Sequence, residues 1–242
     1  MDTIKFSHEK KPLMVAHKGC SALERENTAA AFVAAGNRSY FGIETDVHRT
    51  GDGRYICIHD ERTGRVAGDD LPVEQTDFDT LRRLTLFDTP SGQKSRADLK
   101  LPSLSEYISI CEKYGKIAVL ELKNPMDEAT VVGICREIEA VGQMEHVIFI
   151  SFCYDNLLHL RKHYPKQAAQ FLVSRDWPED LFESLTRDRL DLDAYYDSLT
   201  PERVAECRRR GIKINAWTVD DPAAAAELAA LGVDYITSNC LE

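Results

Sequence analysis

Ile212-Lys213-Ile214-Asn215-Ala216-Trp217, then Asp221-Pro222 with the alanine-rich run to Gly232, then Val233-Asp234-Tyr235-Ile236-Thr237, reads as strand, helix, strand. The flanking runs have the length and the apolar, β-branched composition of buried strands. Asp221 is a helix N-cap, and Pro222 stands at the first helical position, where its missing N–H costs nothing. Gly232 ends the helix because it enters the left-handed region without a Cβ clash. Two strands separated by a helix pair in parallel through a crossover.

The same grammar extends towards the N-terminus. Thr200-Pro201 starts another helix after a run at Leu192–Tyr195. Asp127–Val141 has an acidic first turn, near-helical apolar spacing and Gly142 at its end, and an alanine-rich helical stretch covers about Thr28 to Ala35. Further strand candidates fall at Leu13–Ala16, Ile43–Val47, Ile117–Leu122, Val147–Ile150 and Gln170–Val173, which brings the number to eight. An α/β chain of this kind is predicted to close as a (β/α)8 TIM barrel; an open doubly wound sheet shares the alternation, and the strand number favours closure.

The 242 residues suit one domain, 1–242, and no Pro/Ser/Gly-rich linker divides them. Only Thr63–Leu101 breaks the rhythm, being polar and charged with turn signals at Thr89–Gly92. It is predicted as an insertion after strand 2, and long loops of this kind usually carry function or form a lid.

A net charge of −10 argues against nucleic acid or an anionic membrane as the main partner, since both demand clustered Lys and Arg. It leaves a phosphate ester open as substrate, because a bound cation inverts the local field of carboxylates. Seven cysteines without a C-x-x-C pair suggest neither a disulfide framework nor a structural zinc site. MDTIKFSHEKKP lacks the apolar core of a signal peptide, and no apolar run is long enough to span a bilayer. A reduced, cytoplasmic protein is expected.

Four short motifs stand at the ends of predicted strands: His17-Lys18-Gly19, Glu44-Thr45-Asp46, His59-Asp60 and Glu121-Leu122-Lys123. In a parallel barrel the C-terminal strand ends gather around one mouth, so distance in sequence does not separate them in space. Glu44 and Asp46, two apart on a strand, face the same way. After them comes Thr50-Gly51-Asp52-Gly53 and the β-rich Tyr55-Ile56-Cys57-Ile58, and Asp-Gly is a strong two-residue hairpin signal. With Asp52 and Gly53 as the loop, His59 is expected opposite Asp46 on the same face. A one-residue slip would send it to the other.

A histidine at one strand end is more often structural than catalytic; four motifs at four strand ends carry more weight. Glu44, Asp46 and Glu121 offer hard oxygen ligands, suited to one divalent cation such as Mg2+ or Ca2+. His17 and His59 titrate near neutrality, as general acid-base groups must. Lys18 and Lys123 can neutralise phosphoryl oxygens. Together they compose a phosphoryl-transfer site.

Ala16-His17-Lys18-Gly19 through Glu26-Asn27-Thr28-Ala29-Ala30-Ala31-Phe32 resembles the opening signature of the glycerophosphodiester phosphodiesterase family. So do Gly42–Val47, Thr50 with Asp52-Gly53, and His59-Asp60 with Arg65. Leu101–Leu104, Glu121–Lys123, Ser151-Phe152, Trp217–Val219 and Gly232–Asp234 extend the likeness, in order, over nearly the full length. The resemblance implies a (β/α)8 barrel, a divalent cation on Glu44, Asp46 and Glu121, and His17 and His59 as the acid-base pair. It further implies attack of the glycerol 2-hydroxyl on phosphorus, a cyclic glycerol phosphate, and its opening by water. By the same resemblance Lys123 lies near the substrate phosphate, and Trp217 packs against the glycerol or the leaving group. Trp217 as a barrel-rim packing residue is an equal alternative. Two positions depart from the family pattern, Lys18 where Arg is usual and Arg25 where Pro is preferred. Lysine keeps the charge and loses bidentate recognition of phosphate oxygens.

His48 continues the alternation of Glu44 and Asp46 and is expected behind the site or exposed, while Cys20 is expected in loop or core. The implied reaction is hydrolysis of a small-molecule glycerophosphodiester to glycerol 3-phosphate and an alcohol. The alternatives are action on lysophospholipids, or a barrel that binds phosphorylated ligands without turnover.

Overall fold

The computed structural model describes residues 2–88 and 92–242. Eight parallel strands close on themselves: β1 (Leu13–Ala16), β2 (Gly42–Arg49), β4 (Ile117–Leu122), β5 (Val147–Ser151), β6 (Ala169–Val173), β7 (Asp191–Tyr195), β8 (Ile214–Trp217) and β9 (Tyr235–Ser238). β1 pairs with both β2 and β9, which seals the barrel and removes both sheet edges. The remaining strand, β3 (Tyr55–Cys57), hangs antiparallel from β2. The helices between barrel strands are α1 (Ala29–Gly36), α4 (Leu104–Tyr114), α5 (Glu128–Val141), α6 (Tyr154–His163), α7 (Leu181–Asp188), α8 (Pro201–Arg210) and α9 (Pro222–Leu231). The fold is the (β/α)8 barrel expected from the sequence.

The caps explain where the elements stop. Thr200 and Asp221 each accept a backbone N–H at the start of α8 and α9, with Pro at the first turn. Gly211 and Gly232 then adopt φ of +71° and +86°. The next residues, Ile212 and Val233, donate back to the Cys207 and Leu228 carbonyls. Those N–H groups serve the helix ends, so β8 and β9 begin two residues later than the apolar runs suggest.

One further expectation is corrected. The β2–β3 register pairs Val47 with Cys57 and His48 with Ile56, one residue away from the expected one. The loop has three residues rather than two: Gly53 N–H bonds the Thr50 carbonyl, Thr50 pairs with Arg54, and Gly53 sits at φ +83°. A type I turn closed by a left-handed glycine needs the extra residue. The segment expected as an insertion after strand 2 follows this hairpin and packs against it. It includes α2 (Gly64–Ala67) and α3 (Phe78–Arg83) and has its own core, where Ile56, Ile58, Val66, Val73, Phe78, Leu81, Leu86, Leu99 and Leu101 are buried. Of the turn expected over 89–92, all but Gly92 lies outside the described residues.

The main core lies between barrel and helices. Inside the barrel a smaller apolar plug of Val15, Val119, Ile150 and Leu172 forms the floor below the mouth. No helix among the described residues is long and apolar enough to cross a membrane.

Candidate active site

The strand register assembles the carboxylates. Glu44 and Asp46 project from one face of β2, and parallel pairing sets Asp46 beside Glu121 of β4. Glu44, Asp46 and Glu121 are all buried, and one carboxylate oxygen from each lies within 4.8 Å of the others. Glu44 Oε2 accepts the Lys18 backbone N–H at 2.7 Å, and Asp46 Oδ2 accepts Asn27 Nδ2 at 2.8 Å. Lys123 Nζ lies 2.8 Å from Glu121 and 3.4 Å from Asp46 Oδ1, an oxygen that is buried without a hydrogen bond.

Burial, and then the charges of Asp46 and Glu121, push the Glu44 carboxyl well above its usual range. Burial, and then Asp46, raise Glu121 to about 7. For Asp46 burial acts in the same direction, but the positive charges of Lys123 and His59 outweigh it and bring the pKa to about 2. Lys123 is discouraged from charging by burial, yet Asp46 and Glu121 prevail and raise its pKa. Lys123 settles Asp46, but the raised Glu44 and Glu121 show that it does not offset all three carboxylates at this distance. An all-oxygen, buried donor set with one orphaned oxygen fits a hard divalent cation.

The loop from β1 to α1 is shaped to reach this cluster. Lys18, Gly19 and Asn27 take φ of +54°, +75° and +51°. At Gly19 any Cβ would lie 2.7 Å from the Ala31 backbone, so only glycine fits. Asn27 tolerates the left-handed region and holds both Asp46 and the Thr45 hydroxyl, a bond of 2.7 Å. Its part in orienting Asp46 was not anticipated; a polar side chain between the first motif and a helix N-cap is the signal that could have shown it.

His17 and His59 both line the cavity over the carboxylates. His17 Nδ1 lies 2.8 Å from Asn239 Oδ1, and its Nε2 is 4.0 Å from Glu44. Burial, and then the Lys18 charge, lower the His17 pKa. His59 Nδ1 lies 2.7 Å from Asp60 Oδ1. Asp60 in turn takes Arg65 Nε at 2.5 Å, and Arg65 forks onto Glu26 at 2.7 and 2.8 Å. Burial would raise the Asp60 carboxyl, but its bonds to Arg65 and His59 hold it down at about 2. Glu26 also carries Lys18 Nζ at 3.6 Å.

His59 reaches the cavity despite the shifted register. β3 ends at Cys57, Ile58 N–H bonds the Asp46 carbonyl, and the chain bends at His59-Asp60, freeing the imidazole from strand alternation. His48 is fully buried rather than exposed, with Nδ1 3.1 Å from Glu74 and Nε2 3.4 Å from the His59 carbonyl. Cys20 is buried, which pushes its thiol up and leaves it a core residue.

The cavity encloses about 150 Å3. Opposite His17, Lys18, Glu44, His59, Glu121 and Lys123 stand Ile150, Phe152, Leu172 and Trp217, with Asp193 low in the barrel. Trp217 makes edge contacts with Phe152 and Tyr195, ring centroids 5.6 Å apart in each case. Its Nε1 donates to the Asp193 carbonyl at 3.3 Å, fixing the indole at the rim. All eight residues singled out from the sequence therefore border one site: seven line the cavity, and Asp46 lies buried among the other carboxylates.

The family model for glycerophosphoryl diester phosphodiesterases matches residues 17–242. A glycerophosphodiester phosphodiesterase of Caldanaerobacter subterraneus is 28% identical over 95% of this chain and 94% of its own. An Oleispira antarctica phosphodiesterase, solved with its product sn-glycerol-3-phosphate, superposes with a TM-score of 0.87 at 26% identity, over 95% of this chain and 93% of that one. The Thermotoga maritima glycerophosphodiester phosphodiesterase has the same fold, with a TM-score of 0.78 at 24% identity over 96% of each chain. A match over nearly the whole barrel, motifs included, assigns the chain to the glycerophosphoryl diester phosphodiesterase family.

Proposed function

We propose that this enzyme hydrolyses glycerophosphodiesters to glycerol 3-phosphate and an alcohol, with one divalent cation, Mg2+ or Ca2+, on Glu44, Asp46 and Glu121. The observation that carries the reading is the pair of imidazoles facing one cavity above three buried carboxylates, each ring with Nδ1 committed to an oxygen. Nδ1 then bears the proton in both rings, and Nε2 is the nitrogen left for substrate. When bound, the cation supplies Lewis-acid polarisation of the phosphoryl group and the glycerol 2-hydroxyl.

One imidazole removes the proton of the attacking 2-hydroxyl while the other protonates the departing alcohol oxygen. The five-membered cyclic phosphate is then opened by water with the two roles exchanged. Asp60 stabilises the imidazolium form of His59 through a charge-assisted hydrogen bond. Lys123 and Lys18 offset charge on the phosphoryl oxygens, and Trp217 packs against the glycerol or the leaving group. Barrel and insertion act as a single catalytic domain. We assign it to the cytoplasm, in keeping with seven free cysteines.

The test is release of glycerol 3-phosphate from glycerophosphocholine and glycerophosphoethanolamine in EDTA, Mg2+ and Ca2+. Release in one cation and none in EDTA is expected. No release under any condition, with lysophospholipids also inert, would replace catalysis with a binding role.

A further inference from the structure

Asp220 follows β8 and Asn239 follows β9, outside every motif that marks the site. β9 neighbours β1, the strand that delivers His17, so these two loop residues arrive beside that ring. Their hydrogen bonds form a closed clamp. Asp220 Oδ1 accepts the Ser238 hydroxyl at 2.9 Å and the Asn239 backbone N–H at 2.8 Å. Asp220 Oδ2 accepts Asn239 Nδ2 at 2.6 Å. The amide therefore cannot turn over, because its oxygen would then face a carboxylate.

Asn239 Oδ1 is thereby aimed at His17 Nδ1, 2.8 Å away, and also accepts the Ser21 hydroxyl at 2.7 Å. An amide oxygen has no proton to give, so Nδ1 must be the donor. We infer that Asn239, oriented by Asp220, is a positioning residue for His17: it holds the ring in the Nδ1–H tautomer and turns the lone pair of Nε2 towards the cavity. The inference rests on the acid-base role proposed for His17. His59 is held in the same tautomer by a different device, the direct contact with Asp60. Two independent networks impose the same tautomer on the two rings that share a cavity, whereas packing alone would leave it unspecified.

The experiment reads the ring as well as the rate. In 15N-histidine-labelled protein freed of divalent cations, long-range 1H–15N spectra at a pH where the ring is neutral report which nitrogen is protonated. The His17 signals are assigned by their absence from His17→Ala. The wild type should show a protonated Nδ1, and Asn239→Leu should show a mixture or the Nε2–H form. With cation restored, Asn239→Leu should lower kcat by about 10- to 100-fold with KM nearly unchanged.

Asn239→Asp alone sets two carboxylates against each other and should also be impaired. Asp220→Asn with Asn239→Asp exchanges donor and acceptor within the clamp and should recover both the tautomer and most of kcat. An unchanged tautomer in Asn239→Leu, or failure of a folded double variant to recover it, would overturn the inference. A changed tautomer with unchanged turnover would uphold the clamp and instead remove His17 from the proposed mechanism.

Discussion

The two walls of the cavity are built by different means. On one side stand His17, Lys18, Glu44, His59, Glu121 and Lys123; on the other, Ile150, Phe152, Leu172 and Trp217. The polar wall is held by directed bonds, in which Glu44 takes a backbone N–H, Asp46 an amide, and each imidazole its own oxygen. The apolar wall is held chiefly by packing, rings set edge to face over an aliphatic floor, with the Trp217 Nε1 bond to the Asp193 carbonyl as its directed contact. Directed bonds fix atoms to fractions of an ångström and fail discontinuously when a partner is removed, whereas packing degrades in proportion to the volume lost. Substitutions on the first wall should therefore act on the chemical step, and those on the second should act in graded fashion on binding.

The largest effect is expected at the imidazoles. His17→Ala and His59→Ala should each lose about 100- to 10,000-fold in kcat, the range for a positioned acid or base, with circular dichroism melts close to wild type. Wild-type turnover in either variant would remove that residue from the mechanism.

Glu121→Gln tests the carboxylates with opposite signs in two assays. Activity should fall steeply if Glu121 holds the proposed cation. Stability without cation should not, because the folded pKa of about 7 lies above the ordinary 4.5. The folded state then binds more protons than the unfolded state between these values, so this group makes the cation-free protein less stable as pH rises through that window. At pH above about 7, cation-free Glu121→Gln should melt no lower than cation-free wild type. Cation affinity of the wild type should rise across the same window, because binding displaces the proton. Calorimetry in buffers of different ionisation enthalpy would detect the released proton, and an affinity flat with pH would contradict the shared role of the cluster.

The polar wall was largely legible in the sequence because its residues sit in short motifs at strand ends, and barrel closure needs only the strand count to bring them together. The register of the hairpin was not, since Thr50-Gly51-Asp52-Gly53 is compatible with both loop lengths and only the three-dimensional course of Gly53 separates them. Phe152, Ile150 and Leu172 could not be told from core residues, because an apolar residue facing a cavity and one facing a helix occupy equivalent alternating positions. Asp220 and Asn239 were invisible for another reason: they act as a pair across two loops, and neither alone stands in a recognisable context.

On the apolar wall Trp217→Phe should raise KM only a few-fold, keeping a ring but losing indole area and the bond to the Asp193 carbonyl. Trp217→Ala should raise it further and loosen Phe152 and Tyr195, whose edge contacts contribute about 1 kcal/mol each. A fall in kcat without change in KM would move Trp217 from binding to the chemical step.

The smallest effect is expected at Lys18, the position where the family resemblance read from the sequence implies arginine. What holds the carboxylate cluster there is the Lys18 backbone N–H on Glu44, which an exchange of side chain leaves in place. The Lys18 ammonium is shared with Glu26, a carboxylate that Arg65 already grips with two bonds. A guanidinium at this position would find Glu26 occupied and extend its fork to the cavity, where bidentate contact with phosphate oxygens becomes available. Lys18→Arg should therefore lower the inhibition constant of glycerol 3-phosphate by only about two-fold, roughly 0.5 kcal/mol and the low end of what one added hydrogen bond contributes, and leave kcat within about two-fold. An unchanged inhibition constant would mean that the Lys18 side chain serves Glu26 rather than the phosphate, and the polar wall would then bind its anion through Lys123 and the carboxylate-bound cation.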